Sequence, residues 1–128
     1  MTEWVPFENG EYIVLEAFLM TPDHKAAGIE KAYIEVSTGP GGRKRVMGKG
    51  LIQPFSIVTL HEEHDAIDLV VDLGGEFKYR LKEPVLKSGK VFSPDINSLV
   101  QFFPSRPWEQ ISREEFHEIR KDLNFLGD

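Results

Sequence analysis

Cysteine is absent from the chain, which excludes disulfides, thiolate metal ligands and cysteine nucleophiles together. That absence fits a reducing compartment, and a cytoplasmic protein is expected. The opening residues Met1-Thr2-Glu3-Trp4 carry neither a basic segment nor an apolar run of signal-peptide length. Long apolar runs are missing elsewhere too. Ala17-Phe18-Leu19-Met20 falls far short of the roughly 20 residues needed to cross a bilayer, so no membrane contact is expected. Repeats and low-complexity tracts are also lacking. None of the serines at 37, 56, 88, 93, 98, 105 and 112 stands in a G-x-S-x-G elbow. No catalytic or cofactor motif is complete, so no cofactor is expected and the balance leans against an enzyme.

What is present is ordinary globular material. A chain of 128 residues with 41% apolar and 28% charged side chains suits one folded domain, 1–128. Its net charge of −6 favours solubility and repels a nucleic-acid duplex as a whole-molecule property.

Hydrophobic periodicity predicts strands over about 10–87. Asn9-Gly10 reads as a turn, and Glu11–Met20 follows as a strand whose two faces are both mostly apolar, as in a strand covered on both sides. Thr21-Pro22-Asp23 breaks it. Ile29–Ser37 alternates, with Ala32, Ile34 and Val36 against Lys31 and Glu35. Gly39-Pro40-Gly41-Gly42 is a loop. Arg43–Met47 is a short strand bracketed by Gly48 and Gly50, and Leu51–Leu60 is another, interrupted by Pro54.

Ala66–Lys82 is a hairpin. A three-residue loop, Gly74–Glu76, sets Leu73 opposite Phe77, Val71 opposite Tyr79 and Leu69 opposite Leu81, keeping one apolar face. It also brings Asp72 across from Lys78 and Asp68 across from Lys82. A two-residue loop mixes the faces, so the register argument selects three.

Two amphipathic helices are predicted after the strands. The first, 94–103, has Ser93 as its cap, Pro94 at its first position and an apolar stripe of Ile96, Leu99, Val100 and Phe103. The second, 112–126, opens with the capping box Ser112/Glu115 and carries Phe116, Ile119, Leu123 and Leu126. The expected fold is therefore α+β: a curved, mainly antiparallel sheet of five to six strands, half-barrel or sandwich, with two C-terminal helices packed on it.

Three groups of residues could carry function. Arg43, Lys44, Arg45 and Lys49 form the basic cluster of a glycine-rich hairpin, suited to an anionic partner. It fails as a phosphate-binding loop, since that pattern needs Gly at 43 and Ser or Thr at 50. Phe102, off the predicted stripe, and Trp108, in a proline-broken connection, are candidate aromatic anchors for a partner, or plugs where helices meet the sheet. His61, Glu62, His64 and Asp65 supply imidazole and carboxylate ligands for a metal. Their histidines are three apart, not the four of the helical zinc pattern, and only His24 or Asp23 offers a nearby third ligand.

The leading expectation is a non-catalytic binding or adaptor module acting through loops at the sheet rim, its partner another protein. The alternatives are a small metal-dependent hydrolase using 61–65, and a nucleic-acid-binding accessory protein using 43–49.

Overall fold

A computed structural model describes residues 7–53, 66–88 and 98–125. They form β1 (Gly10–Ile13), β2 (Glu16–Met20), β3 (Lys25–Thr38), β4 (Lys44–Ile52), β5 (Asp68–Asp72), β6 (Lys78–Leu81), β7 (Val85–Ser88), β8 (Ser98–Phe103), β9 (Glu109–Gln110), α1 (Arg113–Lys121) and β10 (Asn124–Phe125). The ten strands make a single sheet in the order β7-β8-β4-β3-β2-β5-β6-β9, with β1 and β10 also paired to β3. The sheet curls into a half-barrel. Every pair is antiparallel except β10 with β3.

The curl originates in β3, whose 14 residues serve both halves of the sheet. Its partner edge is β1 followed by β2, in one unbroken register from Gly10 opposite Val36 to Met20 opposite Ala26. Midway, that edge turns. Leu15 abandons β3 and donates its N–H to the Asp72 carbonyl at 2.8 Å, while Lys31, its opposite number, takes φ 51°. On the far side, the β3–β4 register slips between Glu30 and Tyr33. Each of the two strands spends one residue in the turn, so their inward positions switch parity together. Ala17, Leu19, Ala27 and Ile29 face the interior before it on the sheet path, and Val14, Ala32, Ile34 and Val36 after it. A bulge of this kind sharpens twist and bends the strand.

Glu11–Met20 is thus not one strand covered on both sides, as its two apolar faces suggest. In β2 all four residues Ala17–Met20 are buried, whereas Ile13 and Leu15 beside it are 80% and 69% exposed.

Two apolar clusters flank the sheet. The inner one fills the half-barrel and includes Leu19, Ile34, Leu69, Leu81, Val100 and Phe102, each fully buried. The outer one lies between the convex side of β2, β3 and β5 and helix α1, where Phe18, Met20, Ala26 and Val70 meet Ile111 and Phe116. Helix α1 starts as its sequence requires: the Ser112 hydroxyl accepts the Glu115 N–H at 3.1 Å, and Glu114 and Glu115 sit in the first turn. It ends at Lys121, and the chain re-enters the sheet as β10 instead of continuing as helix to 126.

The expected α+β fold, with five to six strands and two C-terminal helices, is overturned by these ten strands and the single α-helix found among the described residues. The error lies in 94–103. Residues 98–103 are strand β8, paired on one side with β4 and on the other with β7; residues 94–97 lie outside the described residues. Val100 and Phe102 point inward and Leu99 is 48% exposed, a two-residue period. Over six residues the apolar positions satisfy both periods, and pairing with two neighbouring strands decides the outcome.

The basic-hairpin strand is also longer than expected. Gly48 and Gly50 are not loop brackets but interior positions of β4. Phe102, opposite Gly48 in the register, lies where a Gly48 side chain would be: a Cβ there would stand 1.9 Å from the phenyl ring. The missing side chain admits the ring.

The Ala66–Lys82 hairpin has the expected three-residue register, Leu69 to Leu81, Val71 to Tyr79 and Asp72 to Lys78. Gly74 and Gly75 supply its positive φ, 104° and 56°. Asp68, however, binds Arg80 at 2.6 Å, and Lys82 turns to Glu109 at 3.7 Å.

Replacing Gly48 by Val should destabilise the fold by about 1–3 kcal/mol through overpacking against Phe102. Urea unfolding measures it, and adding Phe102→Leu should recover part of the loss. An additive pair of losses would contradict the contact.

Candidate anionic-partner interface

Burial along β4 alternates, with Val46, Gly48, Gly50 and Ile52 inward, and this divides the basic cluster. Lys44 falls on the inward side and donates from Nζ to the Phe7 carbonyl at 2.6 Å. Arg45 and Lys49 fall on the outward side, and Arg45 lies across Gly39 at the hairpin tip. Arg43 is exposed where the turn Pro40–Gly42 meets β4.

The outward row through Lys49 contains a residue that sequence reasoning missed. Lys49 pairs with Gln101 and Gln101 with Lys87, so two lysines flank one glutamine on strands about 10 Å apart. Only the strand pairing reveals this, because Lys49 and Lys87 are remote in sequence and 98–103 reads as helix. Between these cations lie apolar side chains. Leu99 and Val85 are 48% and 47% exposed, Met47 and Phe103 are half-buried, and the Lys87 ammonium sits 5.3 Å from the Phe103 ring centroid.

Six cations of the described residues are matched to carboxylates: Lys25, Lys78, Arg80, Lys82, Arg106 and Arg120. None belongs to β4, β7 or β8. Arg43, Arg45, Lys49 and Lys87 meet no carboxylate among the described residues. Glu35 and Glu11 share this outward face on β3 and β1, so the positive band is confined to β4, β8 and β7.

A polar concavity of about 470 Å³ lies beside α1 and includes Lys78, Arg113, His117 and Arg120. Its cations are mostly answered: Arg120 pairs with Glu16 at 2.5 Å and Lys78 with Asp72 at 3.1 Å. Asp72 also accepts the Gly74 N–H at 2.8 Å, and the buried Lys78 ammonium reaches the Gly75 carbonyl at 2.8 Å and lies 5.4 Å from the Phe116 centroid. This network locks the hairpin turn beneath the helix.

The aromatic candidates are both interior. Phe102 is fully buried over Gly48, and Trp108 is 8% exposed, in ring contact with Phe7 and Tyr79. Neither presents its ring at the surface. The metal candidates His61, Glu62, His64 and Asp65 lie outside the described residues. His24 is exposed in the turn after β2 and Asp23 is bonded to Thr21 and near Lys25. No group of three or more histidine and acidic residues able to hold a metal occurs among the described residues. No helix among them is long and apolar enough to cross a membrane.

Comparison with known proteins finds no matching family model, curated protein or solved structure.

Asp72→Ala should cost about 3 kcal/mol in urea unfolding, because it leaves the buried Lys78 ammonium without its counter-charge; a cost under about 1 kcal/mol would mean that the pair is not structural. Burial raises the Tyr79 phenol above its ordinary value of 10.0. Above pH 10 the unfolded chain therefore releases a proton that the folded chain still holds. The associated stability is complete below pH 10 and is lost as pH rises toward the folded value. In Tyr79→Phe this part of the alkaline fall in the urea midpoint should vanish; superimposable slopes for the two chains would refute it.

Proposed function

We propose that the protein is a non-catalytic binding module that engages an acidic protein surface through the outward face of β4, β8 and β7. The observation that carries this reading is the unmatched band Arg43, Arg45, Lys49 and Lys87, in a chain whose net charge is −6. Excess carboxylate elsewhere could have neutralised these groups, as it does for the six matched cations. Leaving four cations together without counter-charges creates a local positive field on an acidic molecule, which orients a negatively charged partner on approach.

The chemistry between the cations favours protein over nucleic acid. Leu99, Val85, Met47 and Phe103 interleave with the charges, and a mixed apolar and arginine-bearing surface is that of a protein contact. A phosphate backbone draws mainly on cations, and the overall negative charge opposes it.

The chain should be retained on poly-glutamate resin at low salt and elute as salt rises. Arg43→Glu, Arg45→Glu and Lys49→Glu combined should abolish retention while leaving the melting transition in place. Undiminished retention of the triple variant would refute the interface.

A further inference from the structure

At the mouth of the half-barrel, on the side opposite the proposed interface, Phe7 occupies a cage of three aromatic rings. Its centroid lies 5.4 Å from Tyr12, 5.0 Å from Tyr79 and 5.3 Å from Trp108, edge-on to the last two. Such spacings are those of favourable aromatic pairs. Phe7 is 6% exposed, as well buried as a core residue.

Its anchoring differs from that of the core. Phe7 precedes β1, and among the described residues neither it nor Glu8 forms a backbone–backbone hydrogen bond. The segment is held by side chains: Lys44 Nζ donates to the Phe7 carbonyl, Tyr12 Oη donates to the Glu8 carbonyl at 2.6 Å, and Asn9 Nδ2 donates to Thr38 Oγ1 at 2.7 Å. A ring held in this way can leave without breaking a strand.

The cage also has unmet polar demand. Trp108 Nε1 is the buried side-chain donor without an acceptor among the described residues, and buried donors are nearly always paired. The Phe7 ring, edge-on to the indole, offers that N–H at most the weak acceptor of a π-face.

We propose that the Tyr12–Tyr79–Trp108 cage is a binding site for arylalkyl carboxylates, occupied in this structure by Phe7 as an internal stand-in. From ring to carbonyl, Phe7 has the carbon skeleton of 3-phenylpropionate, with the carbonyl oxygen on the Lys44 ammonium. A free arylpropionate offers the same ring and places a full negative charge at Lys44, where Phe7 offers a neutral amide oxygen. It also brings a further oxygen as an acceptor for the Trp108 donor. Charge-assisted hydrogen bonds of this kind are about twice as strong as neutral ones. Lys44 has no carboxylate of its own among the described residues. The site is independent of the outward face, so either assignment can fail without the other.

The test titrates 3-phenylpropionate into the full chain and follows the indole Nε1–H resonance of Trp108, assigned against Trp108→Phe. Phe7→Ala, with the stand-in removed, should bind at least about tenfold more tightly than wild type, since no occupant has to be expelled. Adding Lys44→Met should cancel that gain, and 3-phenyl-1-propanol should bind more weakly than the acid. Equal affinity in Phe7→Ala and wild type, or alcohol binding equal to acid, overturns the proposal. Should Phe7→Ala fail to melt cooperatively, the wild-type chain decides. A saturable shift of the Trp108 resonance by millimolar 3-phenylpropionate, lost in Lys44→Met, supports the site, and an unmoved resonance overturns it.

Discussion

The paired turn at Leu15 and Lys31 is the constraint from which the architecture follows. Two neighbouring strands each give up one residue at the same level, so their mutual register survives while the inward side of both changes from odd to even positions. If only one strand did this, every side chain beyond the turn would face the wrong side of its partner. Because both do, β3 can bend and divide its partners between two halves of one sheet. Leu15 completes the device by bonding to Asp72, which draws β5 alongside β2 and closes the second half. The interior that Phe102, Leu69 and Ile34 fill exists only because of that bend.

Much of this was legible in the sequence, where a single side chain could decide between registers. The Ala66–Lys82 hairpin yields to such an argument because a slip of one residue there would mix charged and apolar faces. The capping box of α1 is equally local. Legibility failed where two physical periods agree over a short window. In 98–103, Leu99, Val100 and Phe103 fit a helical stripe, and Phe102 is then an unexplained aromatic. As a strand, the segment makes Phe102 a central inward residue seated over Gly48. The misfit was the informative residue, and its explanation lay in a glycine 54 positions away in the chain, read as the edge of a loop. A similar ambiguity affected Glu11–Met20, whose apolar residues on both sides record double coverage in β2 and a change of inward face between β1 and β2.

The functional residues show the same division. Arg43, Arg45 and Lys49 are evident as a basic cluster in one dimension, but Lys87 joins them only through Gln101 in the folded sheet. Lys44, adjacent to two of them in sequence, is directed to the other side by strand alternation and holds Phe7. The three-residue basic stretch Arg43–Arg45 is thereby divided between a convex surface and a barrel mouth. Among the described residues, Lys78, Arg80, Lys82 and Arg120 near β6 and α1 meet carboxylates, whereas Arg43, Arg45, Lys49 and Lys87 do not.

The parallel pairing of β10 with β3 sets Asn124 against Lys25 and Phe125 against Ala26. During synthesis, the side of β2 and β3 that later receives α1 must therefore remain wet until nearly the whole described chain has emerged. Phe18, Met20 and Val70 make that surface sticky for the duration, since contacts spanning so much of the polypeptide form late. A nascent chain stalled before Phe116 would expose it, and is the form of this protein on which a holdase chaperone should act.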